Sequence, residues 1–375
     1  MESWCNEGKK EEMETDQTVR FLCEDLLIDI LFRHEAVFLH RVLRHVCQPW
    51  HDIIREPWFA RAHLERSRPR IVGPLGFPVP SDRSVSDACD GLLLLSPKDH
   101  NDQPMEILNP ITGIHDKLPD NKLGCGWGDA TPVSWTLATS SSTGEYKVVH
   151  TSNTTDNEVH VEIITLEGGR GKNAWRDISR RCPGLADVRW IKTDGFLHAV
   201  SRQGHPYLHC HTYMGTLDLV KETFKEMRLP PCCERRQFSL LESRDRHLLL
   251  ADHVSLTQFD VWMSRDDEGE EWMKLYSFTN ADWFKGLMPL DPEVVAKVNS
   301  ITAISGSGER KRLVLLVEVM EDGWVRKIVW VLCEEEGESG MVELSGEESF
   351  WVETKFSLGY RPVHEYVDSL ISWRT

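Results

Sequence analysis

The sequence predicts an α+β multidomain protein in which a small domain of three helices precedes an all-β propeller of five to seven blades. Before residue 70 the apolar residues recur with the period of a helix. After residue 85 short apolar runs are bounded by Gly, Asp, Asn and Pro, as in strands joined by turns. Related β features recur roughly every 50 residues, a spacing typical of propeller blades. Candidate repeat starts fall near Asp90, Tyr146, Asp194, Phe238 and Ile301.

Composition narrows the classes of function. The chain has 375 residues and a formal net charge of −17, which disfavours nucleic acid as a partner because phosphate binding needs a basic surface. No apolar run approaches the ~18 residues of a membrane-spanning helix, and the first 20 residues lack the apolar core of a secretory signal. The ten scattered cysteines then indicate reduced thiols, so we expect a cytoplasmic and/or nuclear protein.

The helical region is predicted to contain helices over 24–33, 37–45 and 49–55, with a further turn at 61–66. Leu26, Leu27, Ile30 and Leu31 have the spacing of one helical face. Pro49 divides the following apolar stripe into two helices, because a proline inside a helix removes a hydrogen bond and clashes with the preceding turn.

The domain boundaries follow from changes in composition. We predict a flexible N-terminus at 1–20, a helical domain at 21–66, a Pro/Gly-rich linker at 67–84 and the propeller at 85–375. Two features recur in the β region, a Leu-Pro pair that ends a strand and a Trp that begins one. The pairs are Leu118-Pro119 and Leu229-Pro230, and the tryptophans are Trp175, Trp272 and Trp351.

An ordered set of residues over 22–59 resembles an F-box. The set comprises Leu22, Asp25, Leu26, Leu27, Ile30, Leu31, Val46, Cys47, Trp50, Pro57 and Phe59. The sequence departs from the family pattern at Cys23, His34 and Glu35. Further along, 89–94, 109–113 and 366–370 resemble the kelch-like β-propeller domains that accompany plant F-boxes. Together these similarities cover nearly the whole chain.

The resemblance implies a non-catalytic substrate receptor of a ubiquitin ligase. Its F-box is expected to bind a Skp-family adaptor and, through it, a cullin, while the propeller binds the protein to be ubiquitinated. The candidate adaptor contacts are Leu22, Leu26, Leu27, Ile30, Leu31, Val46 and Trp50. The alternative for each of them is a place in the core of the small helical bundle. The alternative function is a ligand- or carbohydrate-binding propeller whose F-box no longer engages the ligase.

No motif predicts catalysis, a metal or a cofactor. His205, His209, Cys210 and His211 cluster without a fourth ligand indicated by spacing, and 168–172 lacks the Ser or Thr of a phosphate-binding loop. Clustered acids are weak candidates for a substrate-binding rim, because clustered charge steers association. They are Asp266, Asp267, Glu334, Glu335 and Glu336. The alternative is that these runs are ordinary solvated loops.

Overall fold

A computed structural model describes the helical region, five sheets and a strand close to the end of the chain. The described residues are 24–67, 70–72, 79–98, 104–120, 133–140, 142–153, 159–166, 174–179, 190–202, 212–230, 238–242, 247–255, 258–265, 271–279, 296–302, 312–321, 324–333, 350–354, 364–366 and 368–372. The predicted flexible segment 1–20 lies outside them. No helix among the described residues has the length and apolar character needed to cross a membrane.

The N-terminal region contains four α-helices. They are α1 (Glu24–Phe32), α2 (Ala36–Arg41), α3 (Gln48–Arg55) and α4 (Pro57–Arg66), with a 3-10 turn at Leu43–His45 between α2 and α3. The prediction of three helices is therefore wrong. The turn expected at 61–66 is the second half of a full helix, which begins at Pro57 because a proline is tolerated in the first helical turn.

The second predicted helix, over 37–45, is also too long. The helical backbone ends at Arg41, because Val42 adopts φ −121° and ψ −62°. The chain then continues as the 3-10 turn.

Five four-stranded antiparallel sheets follow, and within each sheet every strand pairs with the next in sequence. The first sheet contains β2 (Arg83–Cys89), β3 (Leu92–Pro97), β4 (Glu106–Leu108) and β5 (His115–Lys117). The second contains β6 (Val133–Thr139), β7 (Tyr146–Asn153), β8 (Val159–Leu166) and β9 (Arg176–Asp177). The third contains β10 (Ile191–Thr193), β11 (Phe196–Arg202), β12 (Thr212–Asp218) and β13 (Thr223–Met227). The fourth contains β14 (Phe238–Glu242), β15 (Leu248–Ser255), β16 (Gln258–Ser264) and β17 (Trp272–Thr279). The fifth contains β18 (Ala296–Thr302), β19 (Arg312–Glu321), β20 (Trp324–Cys333) and β21 (Phe350–Thr354).

Each predicted repeat start falls in a different sheet, but the starts do not all fall at the same strand of their sheets. Asp90, Tyr146 and Asp194 mark the second strand of their sheets, whereas Phe238 and Ile301 lie in the first strand. The first strands of successive sheets contact one another in three cases, β2 with β6, β10 with β14, and β14 with β18. The repeat is therefore one four-stranded meander.

Strands from the two ends of the chain pair with each other. β1 (Arg70–Val72) runs antiparallel to β22 (His364–Tyr366), with Ile71 opposite Glu365. β22 also contacts β2 of the first sheet. β1 lies inside the stretch predicted as a linker at 67–84, so that stretch contains regular structure, while the domain boundary itself stays a prediction.

Two tryptophans join successive sheets through the same type of hydrogen bond. The Trp175 indole N–H donates to the carbonyl of Pro119 at 2.8 Å, from the second sheet to the end of the first. The Trp272 indole N–H donates to the carbonyl of Arg228 at 3.1 Å, from the fourth sheet to the end of the third. The first acceptor is the proline of the Leu118-Pro119 pair, and the second, Arg228, directly precedes the Leu229-Pro230 pair.

Asp87 links three sheets from the first strand of the first one. Its Oδ2 accepts a hydrogen bond from the backbone N–H of Leu137 on β6 at 2.8 Å. Its Oδ1 accepts one from the Lys192 ammonium on β10 at 2.9 Å, and Lys192 also donates to the carbonyl of Ala88 at 2.6 Å. The first strands of these sheets are therefore held by a charge-assisted network as well as by apolar packing.

The helices and the first two sheets share one hydrophobic core. A single cluster of buried apolar side chains runs from Leu31 and Phe59 of the helices through Leu94 and Val148 of the sheets to Ile371. Arg61 on α4 adds a polar contact, since its guanidinium donates to the carbonyl of Gly144 at 3.5 Å. The helical region thus packs against the sheets.

Candidate functional site

The helical region carries a concentration of exposed apolar side chains. Among the described residues six large hydrophobic side chains are exposed, and five of these lie between 24 and 67. They are Leu26 (54% exposed), Phe38 (42%), Val42 (45%), Val46 (58%) and Trp58 (47%), and the sixth is Val220 (48%) in the turn between β12 and β13. Clustered exposed apolar surface on a small unit is typical of a site that a protein partner covers.

Helix α1 divides its apolar residues between the core and the surface. Leu27 and Leu31 are 5% and 0% exposed and belong to the shared core. Leu26 is exposed and Ile30, one turn further on, is half-buried. The helix therefore has both buried and accessible apolar residues. We correct Leu27 and Leu31 from adaptor contacts to core residues, because a buried side chain is not accessible to a partner, while Leu26 and Ile30 stay predicted adaptor contacts.

The segment after α1 repeats this division. Leu39 and Leu43 are buried, whereas Phe38 and Val42, also four residues apart, are exposed. Sequence reasoning missed Phe38 and Trp58 and placed Val42 in the same stripe as the core residues. The sequence did contain one signal for them, because this segment has more apolar residues than a single core-facing helical stripe requires.

The remaining adaptor candidates have three different environments. Val46 is the most exposed of the large hydrophobic residues. Trp50 on α3 is half-buried and packs against the shared core. Leu22 lies outside the described residues. The structure thus leaves Leu26, Ile30, Val46 and Trp50 wholly or partly available to a partner.

Aromatic packing holds the last helix against the first. The rings of Phe32 and Phe59 stack with centroids 4.7 Å apart, and the Arg66 guanidinium lies 4.2 Å from the centroid of Phe32. Buried His63 forms a 2.8 Å hydrogen bond with the carbonyl of His34. Burial lowers the pKa of His63, and this hydrogen bond opposes the shift. These contacts hold together the helices that carry the exposed apolar side chains.

Basic groups accompany the exposed apolar side chains of α2 and the 3-10 turn. The Arg44 guanidinium lies between two imidazoles, donating to Nε2 of His45 at 3.0 Å and contacting Nε2 of His40. Burial lowers the pKa of His40, and the positive charges of Arg44, His45 and Arg41 lower it further. This part of the surface therefore has a positive local field.

The other candidate residues cannot be placed in the same way. Asp266, Asp267, Glu334, Glu335 and Glu336 lie outside the described residues, as do the histidine–cysteine cluster at 205–211 and the glycine-rich stretch 168–172. Within the part of the chain that is described, no group of three or more His, Cys, Asp and Glu side chains is arranged to hold a metal ion. The proposed substrate rim stays a prediction.

Comparison with known families decides the classification of the β region. The model of the F-box associated beta propeller domain matches residues 65–290, which is more than half of the chain. The chain belongs to the F-box associated β-propeller family. An F-box/LRR-repeat/kelch-repeat protein of Arabidopsis thaliana is 24% identical over 350 residues, covering 86% of this chain and 90% of the relative. Membership of the family thus agrees with the resemblance of the β region to plant F-box-associated domains.

Solved structures show only distant similarity to this family member. The fucose-specific lectin of Aleuria aurantia matches with a TM-score of 0.35 and 9% identity, covering 75% of this chain and 99% of the lectin. An exo-beta-1,3-galactanase of Phanerochaete chrysosporium matches with a TM-score of 0.38 and 8% identity, covering 71% of this chain and 64% of the enzyme. At these scores neither match bears on the ligand or the activity of this chain.

Proposed function

We propose that this protein is the substrate-recognition subunit of an SCF-type (Skp-cullin-F-box) E3 ubiquitin ligase. In this proposal the helical region is an F-box that binds a Skp-family adaptor and, through it, a cullin. The β region binds the protein to be ubiquitinated. The subunit itself is non-catalytic, and the transfer of ubiquitin belongs to its partners.

One observation carries this proposal, the exposure of large apolar side chains on the helical region. Leu26 and Val46 were candidate contacts from the sequence, and both are more than half exposed. A site that a partner covers explains why a chain with a large β core leaves these side chains in water. The family assignment and the F-box relative support the same function.

We further propose that the five sheets are blades arranged around a common axis, with their first strands innermost. Contacts between first strands of successive sheets support this arrangement, because the inner strands of neighbouring blades approach each other in a propeller. The pairing of β1 with β22 supports closure by residues from both ends of the chain. Such a ring would present its inter-strand loops for substrate binding.

Affinity purification of the full chain from plant cells tests the proposed function. The intact protein is expected to recover a Skp-family adaptor, a cullin and at least one further protein whose abundance rises when the proteasome is inhibited. Leu26→Asp combined with Ile30→Asp should lose the adaptor and the cullin, because both changes place a charge in an apolar interface. Val220→Asp is the matched control, since Val220 is similarly exposed but lies in the turn between β12 and β13. Recovery of adaptor by the double variant at the level of the control would refute the assignment.

A further inference from the structure

The exposed apolar residues after α1 are interleaved with basic side chains. We call this surface the basic–apolar patch, and it consists of exposed Phe38, Val42 and Val46 together with His40, Arg41, Arg44 and His45. All seven lie on α2, the 3-10 turn and the residues that flank the turn. A partner that covers the apolar members must therefore also meet the basic ones.

The patch has no acidic side chain of its own along the chain. No Asp or Glu occurs between Glu35 and Asp52. The Asp52 carboxylate accepts a hydrogen bond from the Gln48 amide at 2.7 Å and contacts His51 at 3.3 Å, both on α3. On α1 the Asp29 carboxylate pairs with Arg33 at 2.5 Å. Asp52 and Asp29 thus have partners on or next to their own helices.

The arginine and histidine side chains of the patch contact one another. Arg44 donates to His45 and contacts His40, so these three side chains form one continuous group. Arg41 and His45 are exposed at its edge. The Arg44 guanidinium keeps its full positive charge in this arrangement, and its remaining N–H groups can donate to a carboxylate.

The sign of this charge is opposite to that of the whole protein. The chain has a formal net charge of −17, whereas the segment 36–51 contains two arginines and no acid. An acidic partner would be repelled by most of the surface and attracted at the patch, which orients its approach. Ion pairs in water contribute little binding free energy. The exposed apolar side chains at the same place can contribute more, because a partner that covers them removes apolar surface from water.

We propose that the basic–apolar patch docks an acidic amphipathic protein surface, whose carboxylates pair with the Arg41 and Arg44 side chains while its apolar groups cover the three exposed hydrophobic ones. This inference rests on the proposed function, because it assigns the patch to the adaptor-binding site. It adds that the adaptor's facing surface is acidic and that charge sets the rate of association.

The test measures association kinetics between the full-length protein and a purified plant Skp-family adaptor. Arg41→Glu is expected to lower the association rate constant about tenfold at ~0.05 M NaCl, and the difference from wild type should shrink as salt rises to ~0.5 M. Arg228→Glu changes the net charge by the same amount at an exposed position directly after β13 and should stay within about twofold of wild type. Equal rates for the two variants, with no dependence on salt, would overturn the proposal while leaving adaptor binding intact.

A second probe separates this inference from the proposed function. If the wild-type protein does not bind the adaptor, the proposed function fails. The patch is then tested with two amphipathic helical peptides, one composed of Leu and Glu and the other of Leu and Lys. Preference for the Glu peptide that is lost in Arg41→Glu would support the inference. Equal binding of the two peptides, or preference of the patch for a short RNA over both, would overturn it.

Discussion

The side chain of Asn109 is hydrogen-bonded to the backbone of Ser369, which lies 260 residues further along the chain. Its Nδ2 donates to the carbonyl of Ser369 at 3.0 Å and to that of Ile371 at 2.9 Å. Its Oδ1 accepts from the backbone N–H of Ile111 at 2.8 Å, and both Asn109 and Ser369 are fully buried. Asn109 thus holds the last described segment of the chain against the first sheet.

We predict that Asn109→Ala destabilises the protein by about 2–4 kcal/mol, because it leaves two carbonyls without their donor and removes the acceptor that shapes the turn. Chemical denaturation of the full chain measures this change. Gln48→Ala removes an amide from an exposed position on α3 and should cost no more than about 0.5 kcal/mol. Equal midpoints for the two variants would show that Asn109 does not secure the end of the chain.

Alanine substitutions at the adjacent residues Trp58 and Phe59 are predicted to reduce stability by very different amounts. Phe59 is fully buried and stacks on Phe32, so Phe59→Ala should destabilise the protein by about 3–5 kcal/mol. Trp58 is 47% exposed, so Trp58→Ala should cost less than about 1 kcal/mol. Thermal unfolding measures both. A Trp58 variant as unstable as the Phe59 variant would mean that Trp58 is a core residue and not part of an accessible surface.

The tryptophan contacts between sheets are predicted to contribute independently. Trp175→Phe and Trp272→Phe each keep an aromatic ring but remove one inter-sheet hydrogen bond, which should cost about 0.5–1.5 kcal/mol. The two sites lie in different pairs of sheets, so the costs should add to within about 0.5 kcal/mol in the double variant. Unfolding of the double variant in two separate steps would instead indicate that these contacts couple otherwise independent sheets.

His198 makes stability sensitive to acid. Burial, together with the positive charge of Lys225, lowers its pKa from 6.5 to about 3. As the pH falls through this window the unfolded chain binds a proton that the folded protein excludes, so stability is lost at ~1.4 kcal/mol per pH unit from this group. His198→Gln should remove that slope, because a glutamine can still bond to Thr193 and Thr216, each now 2.9 Å from the imidazole. A His198→Gln variant that loses stability in acid as steeply as the wild type would contradict this prediction.

The sequence predicts the central strands well and the edge strands poorly. The apolar run around Leu92–Leu95 becomes β3, whose leucines are all fully buried, alternating between two apolar clusters. β5 (His115–Lys117) at the edge of the same sheet has no apolar residue, and its side chains are exposed or half-buried. Its pairing with β4 comes from the backbone, so no pattern of hydrophobicity could have indicated it.

The candidate site was predictable as a region but not residue by residue. Leu39, Val42, Leu43 and Val46 follow one helical stripe in the sequence, yet the helix ends at Arg41. Leu39 and Leu43 lie in the core, whereas Val42 and Val46 are exposed. Both pairs have the i, i+4 spacing of a helical face, so spacing alone cannot tell which pair the core covers.

The contact between Asn109 and Ser369 has a different origin. Both residues lie in segments that resemble the same kind of β domain. The segments are far apart in the sequence, however, and nothing in either one predicts a contact between them. The contact depends on how the two ends of the chain are brought together, as β1 and β22 also are. This is tertiary information that neither segment contains by itself.

Titration of the purified adaptor into the full-length protein tests the central claim most directly. The wild-type chain should bind a plant Skp-family adaptor, and Leu26→Asp combined with Val46→Asp should weaken binding by at least about 100-fold, equal to ~2.7 kcal/mol, because two charges would be buried in an apolar interface. Both side chains are exposed in the structure, so the variant should unfold at the wild-type temperature, and Val220→Asp should bind as wild type does. Wild-type affinity in the double variant, or no binding by the intact protein, would contradict the assignment of the helical region as the adaptor-binding unit.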